Sequence, residues 1–159
     1  MKRWLGICLF VLFLSGCRSQ ETLETVADEW IVPVMAQPRE VSVQLPENAV
    51  APVLEQDDCR LYMGQGYEIM LETLASGDLN ATIRALSGYG KEQLTILQTG
   101  QRDADRYDFV WTTAGEKGDR LGRAVILDDG NYHYCMSVLR DPGDTPIVWQ
   151  DVFGSFSLA

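Results

Sequence analysis

Histidine is the scarcest chemistry-bearing residue of this chain: His133 is the only one in 159 residues. A transition-metal shell built on imidazole needs a second histidine or suitably spaced cysteines beside it, and the sequence supplies neither, so no metal and no cofactor is expected. A Ser-His-Asp triad would also have to use His133, but the nearest serine, Ser137, sits on the same extended run, too far along it for direct hydrogen bonding, and no Gly-x-Ser-x-Gly string occurs. Basic residues are few, with 13 Lys and Arg against 23 Asp and Glu, a formal charge of −10. So acidic a chain is repelled by phosphate backbones, which excludes nucleic acid as a partner, and by anionic lipid heads, which excludes a basic membrane-binding face. Long apolar runs are missing too. The one at Trp4–Leu14 has 11 residues, against the roughly 20 that a bilayer-spanning helix requires.

What is there begins at the amino terminus. Lys2 and Arg3 precede the apolar run, and small residues follow it, the pattern of a secretory signal. The string Leu14-Ser15-Gly16-Cys17 resembles the lipobox of bacterial lipoproteins. That resemblance implies cleavage before Cys17, diacylglycerol on its thiol, and a location on the extracytoplasmic side of the cell membrane. Residues 1–16 are then a signal peptide, 17–38 a lipidated tether containing Pro33 and Pro38, and 39–159 a single domain. The alternative is an ordinary signal peptide that leaves Cys17 as a thiol. Each buried methylene of an acyl chain contributes about 0.8 kcal/mol and one chain holds a protein only marginally, so the two or more chains of a lipoprotein are what make anchoring persist.

Past Cys17 only Cys59 and Cys135 remain, and an even pair in an exported protein predicts one disulfide. Such a bridge would close a long loop, for which chain entropy gives about 4 to 5 kcal/mol. The alternative is a pair of buried free thiols.

From Glu40 the pattern turns to short alternating strands. Val41, Val43 and Leu45 alternate with polar residues. Leu61–Met63 and Tyr67–Leu74 flank Gly64-Gln65-Gly66, a plausible hairpin, with Tyr67, Ile69 and Leu71 on one face. Asp78 then stands as an N-cap before Leu79, Thr82, Ile83 and Leu86 at helical spacing, and Gly88 as the stop. Strands are predicted at Leu94–Thr99, Tyr107–Thr113, Leu121–Leu127 and Tyr132–Leu139. Their short links demand antiparallel neighbours, because a parallel return needs a crossover of a dozen residues or more. Thr145 and Pro146 then open a second helix with an apolar stripe of Val148, Trp149, Val152, Phe153 and Phe156.

The sum is an α+β fold: a mostly antiparallel sheet of about six to seven strands with two helices packed on it. This order of elements, closing on Phe153-Gly154-Ser155-Phe156, resembles the PsbP-like fold that small bacterial lipoproteins also use. The resemblance implies an accessory or assembly factor that binds a larger complex, with no shared catalytic motif to carry over.

Candidate sites are correspondingly sparse. Asp128, Asp129 and His133 are the residues a cation would use, but Asp129-Gly130 is a strong hairpin signal and the acid spacing misses the calcium-loop pattern. Gly115, Gly118 and Gly122 lead into no helix and so lack the N-terminus on which phosphate binding depends. The aromatic residues Trp111, Tyr132, Tyr134 and Trp149, exposed together on one sheet face, would stack sugars or a peptide; the alternation of Tyr107, Phe109 and Trp111 fits a buried face equally. The resulting expectation is a non-enzymatic, membrane-anchored lipoprotein docking on an envelope protein partner, with envelope glycan, peptide or small-ligand binding through the aromatic face as the alternative.

Overall fold

The period-two pattern becomes a sheet with a helix packed on each face. The computed structural model describes residues 36–100, 103–143 and 147–159; the signal segment, Cys17 and the tether as far as residue 35 lie outside the described residues. In chain order the elements are β1 (Val41–Ser42), β2 (Leu54–Glu55), β3 (Cys59–Gly64), β4 (Tyr67–Ala75), α1 (Leu79–Ser87), a 3-10 turn (Lys91–Gln93), β5 (Ile96–Gly100), β6 (Asp105–Thr113), β7 (Arg120–Asp128), β8 (Tyr132–Arg140), α2 (Trp149–Ser155) and β9 (Ser157–Leu158). The main sheet has seven strands in the order β2-β3-β4-β8-β7-β6-β5, every pair antiparallel. The fold is therefore α+β, as the pattern predicts. Among the described residues no helix is long and apolar enough to cross a membrane.

The chain builds this sheet in two pieces. The β3–β4 hairpin turns at Gln65-Gly66, after which α1 and the 3-10 turn carry the chain from β4 to the far edge. From β5 the meander walks back strand by strand until β8 zips along the whole of β4, from Tyr67 opposite Arg140 to Ala75 opposite Tyr132.

Helix α1 forms where its caps say it should. The Asp78 side chain accepts a hydrogen bond from the Asn80 N–H, and Gly88 ends the helix with φ 80°, a conformation that costs glycine little. Its apolar stripe lays Ile83, with Leu79 and Leu86, on Tyr107, Phe109, Trp111, Ala124, Ile126 and Cys135. The opposite face carries the larger core, in which Trp149, Val152, Phe153 and Phe156 cover Ile69, Leu71, Val125, Leu127, Met136 and Val138. Full burial of each such side chain contributes about 1.5 to 3 kcal/mol, so the sheet is held by both helices.

Three expectations shift. The strand foreseen from Val41 to Leu45 forms a ladder only at Val41–Ser42, and pairs with β9 rather than with the main sheet. Val41, Val43 and Leu45 still turn inward, because this segment lies across the α2-side core. The edge strand β2 was not foreseen, since two residues carry no periodicity. Helix α2 starts at Trp149 with Val148 at its N-cap position and no side-chain cap; Val148 is exposed and so is not part of the buried stripe, while Thr145 and Pro146 lie outside the described residues.

Candidate functional site

The four aromatic residues do not share a face. Register sets alternate residues of β6, β7 and β8 on opposite sides of the sheet, so Trp111 packs under α1 while Tyr134 and Trp149 belong to the core beneath α2. Trp111, Tyr134 and Trp149 are buried: Trp149 meets Tyr67 edge-on at 5.2 Å between ring centroids, and the Tyr134 hydroxyl accepts from the Arg39 N–H at 2.8 Å and donates to Asp129 Oδ2 at 3.0 Å. Tyr132 is partly buried and lines a cavity, and its hydroxyl is already given to the Ala36 carbonyl at 2.7 Å. The expected stacking surface is thereby corrected: three of the four rings are buried, on opposite sides of the sheet, and the hydroxyls of Tyr132 and Tyr134 are hydrogen-bonded within the domain.

The disulfide is corrected as well. Cys59 and Cys135 are free thiols. Both stand opposite Glu72, one across β3–β4 and the other across β4–β8, so a whole strand separates them. Two strand spacings amount to about 9 to 10 Å between α-carbons, whereas a disulfide tolerates at most about 7 Å. No side-chain rotation closes that gap.

The row Cys59, Glu72, Cys135 lies against a cavity of about 550 Å³, whose wall also includes Arg39, Asp58 and Arg60. Burial, followed by the neighbouring charge of Asp58, raises the Glu72 carboxyl above its ordinary value. Burial and then the Glu72 charge raise the thiol of Cys135; burial, Glu72 and Asp58 raise that of Cys59. Thiols held in the protonated form are poor nucleophiles and poor metal ligands. Among the described residues no group of three His, Cys, Asp or Glu side chains is placed to hold a metal ion.

His133 is a core residue that ties helix to sheet. It is 1% exposed, with Nδ1 at 2.8 Å from Thr82 Oγ1 on α1 and Nε2 at 3.5 Å from Asp128 Oδ2, a pair that forms no hydrogen bond. The sequence around it is the turn it resembled: Asp128 and Asp129 accept from the backbone N–H groups of Gly130, Asn131 and Tyr132. Burial alone would raise the Asp129 carboxyl, but the N–H groups of Tyr132 and Asn131, the Tyr134 hydroxyl and the Arg39 charge pull it below its ordinary value.

Sequence reasoning missed the outer part of the α2-side face. Beyond the reach of α2, Leu97 on β5, Val110 on β6 and Leu121 on β7 are 63%, 52% and 38% exposed. Leu97 pairs with Asp108 and Leu121 with Thr112, the two same-face neighbours of Val110, so the three apolar side chains form a diagonal across three strands. The diagonal starts at β5, which is one of the two edges of the sheet among the described residues. Each of these residues reads in the sequence as an ordinary strand hydrophobe, and only the short span of α2 leaves them uncovered.

No protein-family model, no curated protein and no solved structure matches the chain.

Proposed function

We propose that this chain is a membrane-anchored lipoprotein of the cell envelope whose domain has no catalytic role and docks on an envelope protein or complex. The observation that carries the docking role is the exposed diagonal Leu97–Val110–Leu121 beside a sheet edge that no strand of the described residues covers. An uncovered apolar set next to free backbone groups favours a protein surface over a small ligand, because it offers area and strand pairing rather than an enclosed pocket. The anchor rests on Leu14-Ser15-Gly16-Cys17. The resemblance to the PsbP-like fold points the same way, toward an accessory factor on a larger assembly.

The reading is tested in two steps. Cells fed labelled palmitate should yield a labelled product of this chain, and Cys17→Ala should abolish the label; an unlabelled, freely secreted product would refute the anchor. Lysine-directed crosslinking in intact cells followed by mass spectrometry should then recover one envelope complex with the parent chain and lose it with Cys17→Ala. Recovery of abundant bystanders alone would refute docking.

A further inference from the structure

The two edges of the main sheet are finished differently. On one side β2 is two residues long, and its Glu55 pairs with Arg60 of β3 at 3.3 Å. A short, charged edge is how sheets discourage strand addition. On the other side β5 runs for five residues, and the sequence carries no charge from Gln93 to Gln101. The ladder also leaves usable groups there. The Asp129 N–H bonds to the Tyr132 carbonyl at the β7–β8 turn, which sets the alternation of bonded pairs from β8 back through β7 and β6. That alternation commits Leu97 and Thr99 to β6 and turns the N–H and C=O groups of Ile96, Gln98 and Gly100 outward.

The face opposite the apolar diagonal carries a second signal. Gly100, Asp105 and Asp128 occupy one row of the sheet, with Asp105 directly opposite Asp128. Like charges so placed repel. Among the described residues no Lys or Arg lies within ion-pair distance of either aspartate, and they share an open hollow of about 360 Å³ with Asp103 and Asp129. Gly100 has no side chain to screen them: a Cβ at that position would come 3.8 Å from Asp105 Oδ1.

Building on the docking role proposed above, we infer that the open edge of β5 accepts an extended strand of an envelope protein, one that places an arginine or lysine opposite Gly100 and an apolar side chain opposite Leu97. The cation crosses the bare glycine to Asp105 and relieves its repulsion with Asp128. The apolar side chain, three positions away and therefore on the other face, extends the Leu97–Val110–Leu121 diagonal. A second copy of this chain is a poor occupant: its own β5, Ile-Leu-Gln-Thr-Gly, brings no cation, and each copy carries a charge of −10.

The test places a photoreactive benzoylphenylalanine at Leu97 of the full-length chain in intact cells, with Val50, exposed elsewhere on the domain, as the control position. The captured protein is digested and the crosslinked segment sequenced. Expected is an envelope protein whose crosslinked segment alternates apolar residues with polar ones and has Arg or Lys three positions from the crosslinked site. Gln98→Pro removes an outward N–H while sparing the β6 ladder, and should lower capture about tenfold. Asp105→Asn, an exposed and isosteric change, should lower it about threefold and weaken its salt dependence; it serves also if the proline variant fails to fold. Capture at Val50 but not at Leu97, capture at Leu97 that neither variant lowers, a segment without Arg or Lys, or capture only of a second copy would each overturn the edge inference while leaving docking intact. Capture at neither position would overturn both.

Discussion

The indole of Trp111 lies flat against the backbone of Gly122 on the neighbouring strand, so closely that a Cβ at residue 122 would fall 2.1 Å from the ring. The glycine is what lets the largest side chain of the α1-side core cross its partner strand. Gly122→Ala forces either the ring or the strand to move, and overpacking of this kind costs about 1 to 3 kcal/mol. Urea unfolding followed by tryptophan fluorescence should show a lowered midpoint with a changed emission of the native state. An unchanged midpoint would mean that Trp111 has a second place to go.

Arg106 holds the end of α2 to the sheet. Its side chain is 12% exposed, and the guanidinium donates to the Phe153 carbonyl at 2.9 Å, the Phe156 carbonyl at 3.2 Å and Asp108 at 2.7 Å. Asp108 also receives Arg123, whose guanidinium sits 4.1 Å from the Phe153 ring centroid. Lysine cannot reproduce the planar fork, so Arg106→Lys should cost about 2 to 4 kcal/mol. Hydrogen exchange should show the loss concentrated in α2 and β9; a uniform loss would place the role of Arg106 elsewhere.

Two carboxyls should give opposite pH responses. The Glu72 carboxyl is raised by burial and by Asp58, so the folded state holds its proton longer than the unfolded chain, and its ionisation destabilises the fold as pH rises past the ordinary glutamate value. Glu72→Gln should therefore raise the urea midpoint at neutral pH and leave it unchanged below about pH 4. Asp129 is lowered, so its contribution is present above the ordinary aspartate value and is lost as pH falls through the lowered one. Asp129→Asn should lower the unfolding free energy at neutral pH by about 1 kcal/mol, and the urea midpoint with it, with the difference fading in acid. Parallel pH profiles for the two variants would contradict both assignments.

The thiols of Cys59 and Cys135, one strand apart on either side of Glu72, should both alkylate when the protein is denatured without reductant. In the native protein Cys135, buried under α1, should resist labelling far longer than half-exposed Cys59. A disulfide-linked peptide pair in the digest would show that the sheet has rearranged.

Local chemistry was sufficient for α1, because Asp78, the stripe and Gly88 act within one short segment. It was sufficient for the meander, because short polar links leave antiparallel pairing as the only return, and the structure closes β5 through β8 in that way. The α+β class follows from these elements. Whatever depended on pairs remote in sequence was settled by the tertiary structure alone. The alternation of Trp111 and Tyr134 says that each points to one side of its strand, but which side is common to both depends on the register of β6, β7 and β8. An even cysteine count says nothing of the strand that comes between Cys59 and Cys135. Arg106 and Asp108 look like solvated residues on an outward face until α2 is laid over them. Leu97, Val110 and Leu121 look like core until the same helix ends short of them. In sequence a side chain has a period; only packing gives it a neighbour, and burial, charge pairing and exposed edges are all properties of neighbours.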